Sequence, residues 1–211
     1  MRISELSAAS GVPLPTVKYY LREGLLPAGE PTARNQAEYG SAHVARLRLI
    51  RALIEVGGLS IADTRSVLAA SDDPDLPLDE VMGAAHDAVT RRAAPNRGEP
   101  AWHKARSIVL NIAQQRGWHV EPHGPALDQA ADAVAAVLAS DVPELQPLID
   151  VYFETVESMA RKEVDAVLSM GAPDQVVRGV VVGTILGEAL FNALRLLAQQ
   201  SISIQLLSPE A

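Results

Sequence analysis

The chain of 211 residues has no cysteine, which excludes disulfides, thiolate metal sites and thiol redox switching. It also lacks an apolar leader: MRISELSAASG is polar and amphipathic, so a cytoplasmic protein is expected rather than a secreted one. No long apolar run is free of charge. The most apolar stretch, residues 176–198, carries Arg178, Glu188, Asn192 and Arg195, each costly at a bilayer centre, so it reads as a buried helix and no membrane partner is expected. A net positive charge is missing as well. The formal charge of -8 argues against a protein that coats nucleic acid indiscriminately. Also missing are a nucleophile with its base and orienting acid, a phosphate-cradling glycine loop and a metal-ligand cluster at recognised spacing. The expectation is therefore no catalytic residue, no metal and no cofactor. His119 and His123 flank Pro122, and with Gly124 they read as a surface loop.

What is present is the composition of a folded soluble protein, 48% hydrophobic and 21% charged, long enough to bury a good core. Charge is unevenly distributed. Residues 1–56 hold seven basic side chains against five acidic ones, leaving eleven basic and twenty-one acidic for the rest. A mildly basic head on an acidic body suits a compact module that meets DNA, attached to a part that does not.

Within the head, residues 11–27 (GVPLPTVKYYLREGLLP) read as the turn and second helix of a helix-turn-helix. Gly11 suits the positive φ of a tight turn, residues 14–23 form a short helix, and Gly24 is placed to end it in a left-handed conformation. Pro15 is tolerated in the first turn, where amide hydrogens have no intrahelical partner. A 3.6-residue period puts Val17, Tyr20, Leu21 and Gly24 on one face; Pro15, Tyr19 and Arg22 point the other way, with Thr16 and Lys18 on the flanks. Lysine and arginine can reach phosphates or the guanine edge, and hydroxyls can bond phosphate oxygens. A solvated polar helix face has the same appearance.

The flanking segments extend the pattern. Ile3, Leu6 and Ala9 mark a first helix with Ser4 as its N-cap. Residues 28–40, with Arg34, Asn35, Gln36 and Tyr39, form a polar connection that suits a wing beside the helix. Residues 41–56 are a helix closed by Gly57 and Gly58. One apolar stripe runs through Val44, Leu47, Ile50 and Ile54 and another through Leu49, Leu53 and Val56, with Arg46 and Arg48 as flanking phosphate contacts. Ser60 and Asp63 resemble a capping box that opens a helix to about residue 70, with Ile61, Thr64, Val67 and Leu68 inward.

Taken together, ISELSAASGV, TVKYYLREGLLP, a wing closing on Tyr39 and HVARLRLIRALIEVGGLSIADTRSVL closely resemble, in order and spacing, the DNA-binding domain of the MerR family of bacterial transcription regulators. The resemblance covers about residues 1–70. It implies that Thr16, Lys18, Tyr19 and Arg22 enter a major groove, that Arg34, Asn35 and Gln36 belong to the wing, and that the protein is a homodimer on an inverted-repeat operator of double-stranded DNA. It implies further that such proteins bend and untwist a promoter so that effector binding realigns it for RNA polymerase. Three positions depart from the family pattern: Pro15 stands where a basic residue is frequent, Leu21 where glutamate is usual and Ala37 where arginine is usual. Those departures shift phosphate contact toward Arg34, Arg46 or Arg48.

Beyond the head, residues 78–93 read as a helix with Val81, Ala84, Ala85 and Val89 inward, interrupted by APNRGEP at 94–100. That is short for an independent coiled coil, so the dimer is expected to draw on the C-terminal region. Helices follow at 102–115, 127–139, from 144 or 148 to 170, and 173 to about 200, with no alternating strand pattern among them. The expected fold is all-α with a small wing: a winged helix-turn-helix over 1–73, a linker helix and loop over 74–100, and a helical bundle over 101–211. This helix pattern is similar to the ligand-binding helices of TetR-type regulators.

Gly179, Gly183 and Gly187 strip one face of the last helix, for close packing within the bundle or for a self-complementary dimer face; at about 1 kcal/mol per glycine, such a face must be offset by a packing gain. Trp102, Trp118, Tyr152, Phe153 and Phe191 are core, or they line a pocket for a flat, apolar or cationic effector. Glu188 is a carboxylate in an apolar helix and must be paired, neutralised or solvated; Arg195, two turns on, is the candidate partner. Two other readings remain open: an enzyme or ligand-sequestering helical domain carried by a DNA-binding head, and an architectural protein of low sequence preference. The latter sits badly with the negative charge, since sequence-independent affinity is mostly phosphate neutralisation.

Overall fold

The first helix, α1 (Ile3–Ser10), starts two residues earlier than Ser4 capping would allow, with Arg2 at the N-cap position. The backbone N–H of Arg2 donates to the Glu5 carboxylate at 2.7 Å, so Glu5 closes the helix start in place of the Ser4 hydroxyl. Gly11, at φ +71°, ends α1 in the left-handed region, and its N–H reaches the Ser7 carbonyl at 3.0 Å. The turn is braced from inside: Ser7 Oγ donates to the Val12 carbonyl at 2.6 Å, and buried Ser10 Oγ to the Leu6 carbonyl at 2.7 Å. A second helix, α2 (Leu14–Arg22), follows with Pro15 in its first turn, and Gly24 (φ +72°) lies beyond its end.

This computed structural model describes residues 1–33, 36–90 and 97–207. Strands β1 (Glu30–Ala33) and β2 (Gln36–Glu38) pair antiparallel, Glu30 opposite Glu38 and Pro31 opposite Ala37, with an irregularity before Ala33. The hairpin is tied to the start of α1, because Tyr39 and Met1 exchange backbone hydrogen bonds of 2.9 and 2.8 Å, and Arg2 donates to the Gln36 amide oxygen.

Helices α3 (Ser41–Glu55) and α4 (Ile61–Asp72) complete the head. Leu47, Ile50 and Leu53 of α3 are fully buried with Leu6, Val17, Leu25 and Leu26, forming one core under α1 and α2. Val56 departs from the expected second stripe at 62% exposure, since the helix closes at Glu55 before turning through Gly57 and Gly58. Ser60 caps α4, its Oγ accepting from the Asp63 N–H at 3.1 Å, and Thr64, Val67 and Leu68 are buried.

The chain continues through α5 (Leu78–Val89), α6 (Pro100–Gln115), α7 (Pro125–Leu138), a single 3₁₀ turn (Pro143–Leu145), α8 (Leu148–Leu168) and α9 (Pro173–Leu207). It forms two compact units, residues 1–88 with 177–211, and residues 89–176. In the second unit α6 packs along α7 over Ala105, Val109, Leu127 and Val134, with Ile149 and Phe153 of α8 against that core. Thus α9 lies almost wholly in the unit that holds the head, a partition that helix periodicity does not report.

The expectation of a buried helix over 176–198 holds only for the N-terminal half of α9. Val180, Val181 and Ile185 are buried, whereas Leu190, Leu194, Leu196 and Leu197 are all more than half exposed. By length and composition α9 could cross a membrane, with a mean hydropathy of 1.6 over its most apolar window. Glu188 is exposed and makes no ion pair with Arg195 among the described residues.

Candidate nucleic-acid interface

The two sides of α2 separate as the amphipathic period requires. Val17 and Tyr20 are buried, at 0% and 7% exposure, and fix the helix on the head's core. On the opposite side Pro15 and Lys18 are exposed, Thr16 and Tyr19 are half-buried, and the Arg22 side chain is 72% exposed. The Arg22 guanidinium lies 5.1 Å from the Tyr19 ring centroid, a cation–π contact that steadies both groups at the surface. Tyr19 also packs tilted against Tyr20, with 5.9 Å between centroids. Burial pushes the Tyr20 phenol pKa up, Glu55 and Tyr19 add to the shift, and Arg51 opposes it.

The C-terminal end of α2 is clamped from below by two arginines. Arg65 of α4 donates to the Glu23 carbonyl and to its carboxylate, both at 2.9 Å. Arg46 of α3 donates to the Leu25 carbonyl at 3.0 Å and forms a two-pronged pair with Asp72 at 2.7 and 2.6 Å. Its side chain is only 15% exposed. The geometry therefore engages Arg46 in bracing the turn that follows α2, a role set by a partner twenty-six residues away that spacing alone could not indicate. Arg48 is exposed, and one of its nitrogens donates to the Ala9 carbonyl at 3.0 Å, next to the turn between α1 and α2. Sequence reasoning missed Glu23, Arg65 and Asp72; the only signal was their complementary charge.

Of the wing residues, Gln36 is exposed on β2 and held by Arg2. Arg34 and Asn35 lie outside the described residues. The candidate interface is thus a short cationic helix lifted from the core by Val17 and Tyr20, with a two-stranded hairpin tied to α1.

The effector candidates divide between the two units. In the second unit Trp118 and Phe153 stack at a tilt, 5.3 Å between centroids, and Trp102 Nε1 donates to Asp132 at 2.7 Å. Asp132 also accepts from Arg97, at 2.6 Å from its Nη2. Tyr152 faces solvent at 49% exposure. Glu188 and Phe191 belong to α9, in the unit of the head.

A winged helix-turn-helix with an outward cationic helix defines a DNA-binding protein. Residues 1–71 match the family model described as MerR HTH family regulatory protein. Among solved structures, "Crystal structure of the putative transcriptional regulator SCO5550 from Streptomyces coelicolor A3(2)" is similar at 35% identity and a TM-score of 0.75, over 97% of each chain. No curated protein matches the sequence. The chain belongs to the MerR family: it is a cytoplasmic DNA-binding transcription regulator and not an enzyme.

Proposed function

We propose that the protein works as a homodimer on an inverted-repeat operator, each protomer laying Thr16, Lys18, Tyr19 and Arg22 in a major groove, with the wing residues Arg34, Asn35 and Gln36 and with Arg48 against the adjoining backbone. The observation that carries this reading is the exposure of Lys18 and Arg22 on the side of α2 opposite buried Val17 and Tyr20. Lysine or arginine on base edges gives sequence preference, while contacts to phosphate alone give affinity without it. Two copies related by a two-fold axis read two half-sites of opposite direction. Control of RNA polymerase follows the family's mode, in which the bound promoter is deformed and the cost of deformation depends on its sequence.

A small apolar or aromatic effector is the second part of the proposal. Support for it comes from the Trp118–Phe153 pair beside a small core, where an aromatic compound could insert. The test of the main reading is binding to the gene's own promoter and to scrambled DNA over a salt series. A specific regulator keeps a preference for the promoter at every salt concentration, whereas equal affinities throughout contradict the reading. Thermal shift against aromatic and cationic compounds tests the effector site, and a panel without response counts against it.

A further inference from the structure

The C-terminal end of α2 carries a line of charges that an outward cationic helix does not by itself require. Arg22 points away from the core, its side chain 72% exposed, and lies over the Tyr19 ring. The next residue, Glu23, is less exposed, and its carboxylate stands between two guanidiniums. Arg65 of α4 is 2.9 Å from Oε2 and Arg22 is 3.6 Å from Oε1. A carboxylate at this place works against a helix that meets phosphates. Without a close partner it would repel the duplex, or it would draw Arg22 into a full ion pair and hold that guanidinium back.

The two distances decide which guanidinium holds it. The contact with Arg65 is a charge-assisted hydrogen bond, whereas 3.6 Å is beyond hydrogen-bond range. Arg65 also donates through Nε to the Glu23 carbonyl at 2.9 Å, so one planar group holds this residue by its backbone and its side chain at once. Arg65 is itself well placed to do so. Its helix is capped by Ser60, and the neighbouring Thr64, Val67 and Leu68 are buried in the head.

We propose that Arg65 is a positioning residue for DNA binding: by occupying the Glu23 carboxylate it leaves Arg22 over Tyr19 and available to the duplex. The inference rests on the reading that α2 meets DNA through Arg22, and it adds a group on a different helix that acts only through Glu23. A plain brace under α2 would steady the helix without reference to Arg22. The two roles therefore differ in what a second substitution does.

The experiment measures the affinity of the full chain for the gene's own promoter and for scrambled DNA at fixed salt. Arg65→Met keeps the apolar stem and removes the guanidinium, so Glu23 turns onto Arg22. Promoter affinity should fall about tenfold, with scrambled DNA losing less, while the melting curve by circular dichroism shows that the fold survives. Arg65→Lys, which can still pair with the carboxylate, should restore most of the loss. Adding Glu23→Gln to Arg65→Met should also restore the preference for the promoter, because a neutral amide does not capture Arg22. Removal of a negative charge alone would strengthen both DNAs and leave their ratio low, an outcome that overturns the proposal. In an Arg22→Ala background, Arg65→Met should cost less than about twofold. Losses that multiply instead would make Arg65 an independent phosphate contact or a plain brace, ending this inference alone. An Arg22→Ala variant that binds both DNAs as the wild type does ends the groove role of Arg22 and the inference together.

Discussion

Gly57 is the position where a single methyl group tests how α9 is held on the head. A Cβ built there would lie 2.5 Å from Ile185 Cγ2 and 2.7 Å from the Leu53 carbonyl oxygen. Neither distance is tolerable, so the helix or the turn must move. Overpacking of this kind costs about 1–3 kcal/mol. Against it stands about 0.4–1 kcal/mol gained by restricting the unfolded chain. The net expectation for Gly57→Ala is a loss of about 1–2 kcal/mol, which for a chain of this length lowers Tm by roughly 2–8 °C. Scanning calorimetry of the wild type, the Gly57→Ala variant, an Ile185→Leu variant and the double variant separates the two clashes. Leucine has no Cγ2, so the double variant should recover the part of the cost due to Ile185, a coupling of about 0.5–1.5 kcal/mol, and retain the part due to the Leu53 carbonyl. A Gly57→Ala variant as stable as the wild type, or one whose loss is unchanged by Ile185→Leu, would refute the docking of α9 against the turn after α3.

Three other outcomes follow from the same coordinates. Asp132→Ala removes the acceptor of Trp102 Nε1 and the nearer of the two carboxylates that hold Arg97, Asp128 remaining at 3.4 Å, and leaving a partly buried indole N–H unpaired should cost about 1–3 kcal/mol in urea unfolding; a change below about 0.5 kcal/mol contradicts that role. Arg46→Ala should lower stability by about 1 kcal/mol, through the Leu25 carbonyl and the half-exposed Asp72 pair, and an equal loss of DNA affinity with no loss of stability would instead make Arg46 a phosphate contact. Tyr20 has its pKa raised in the folded state by burial and by Glu55, so the stability it contributes is present below the ordinary tyrosine value of about 10 and is lost as pH climbs through the raised one. Alkaline titration at 295 nm should show Tyr20→Phe removing a late component; removal of an ordinary one contradicts the burial argument.

The head was legible because its signals are local. Gly11 and Gly24 mark left-handed turns, Ser60 with Asp63 marks a helix start, and the spacing of Val17, Tyr20 and Leu47 marks the buried faces. Where a competing local group existed, as with Glu5 reaching back to Arg2 ahead of Ser4, spacing chose the wrong cap. Long-range pairings were not legible. Nothing near Arg46 or Arg65 in sequence announces Asp72 or Glu23, and such pairs form only once the fold has placed them. In the C-terminal half the period of α9 shows an apolar helix, and it does not show that Val181 and Ile185 are buried while Leu190 and Leu197 stay more than half exposed. Burial there depends on which elements come together, and hydropathy alone carries no such information.

The central claim, that the outward side of α2 reads sequence, is tested most directly by Lys18→Ala. Affinities for the gene's own promoter and for scrambled DNA are measured side by side at fixed salt. Loss of a base-edge contact should weaken promoter binding by about 1–3 kcal/mol, leave scrambled DNA nearly as before and so narrow the ratio between them. Equal weakening on both DNAs would make Lys18 a phosphate contact, and no change on either would show that α2 does not face the duplex.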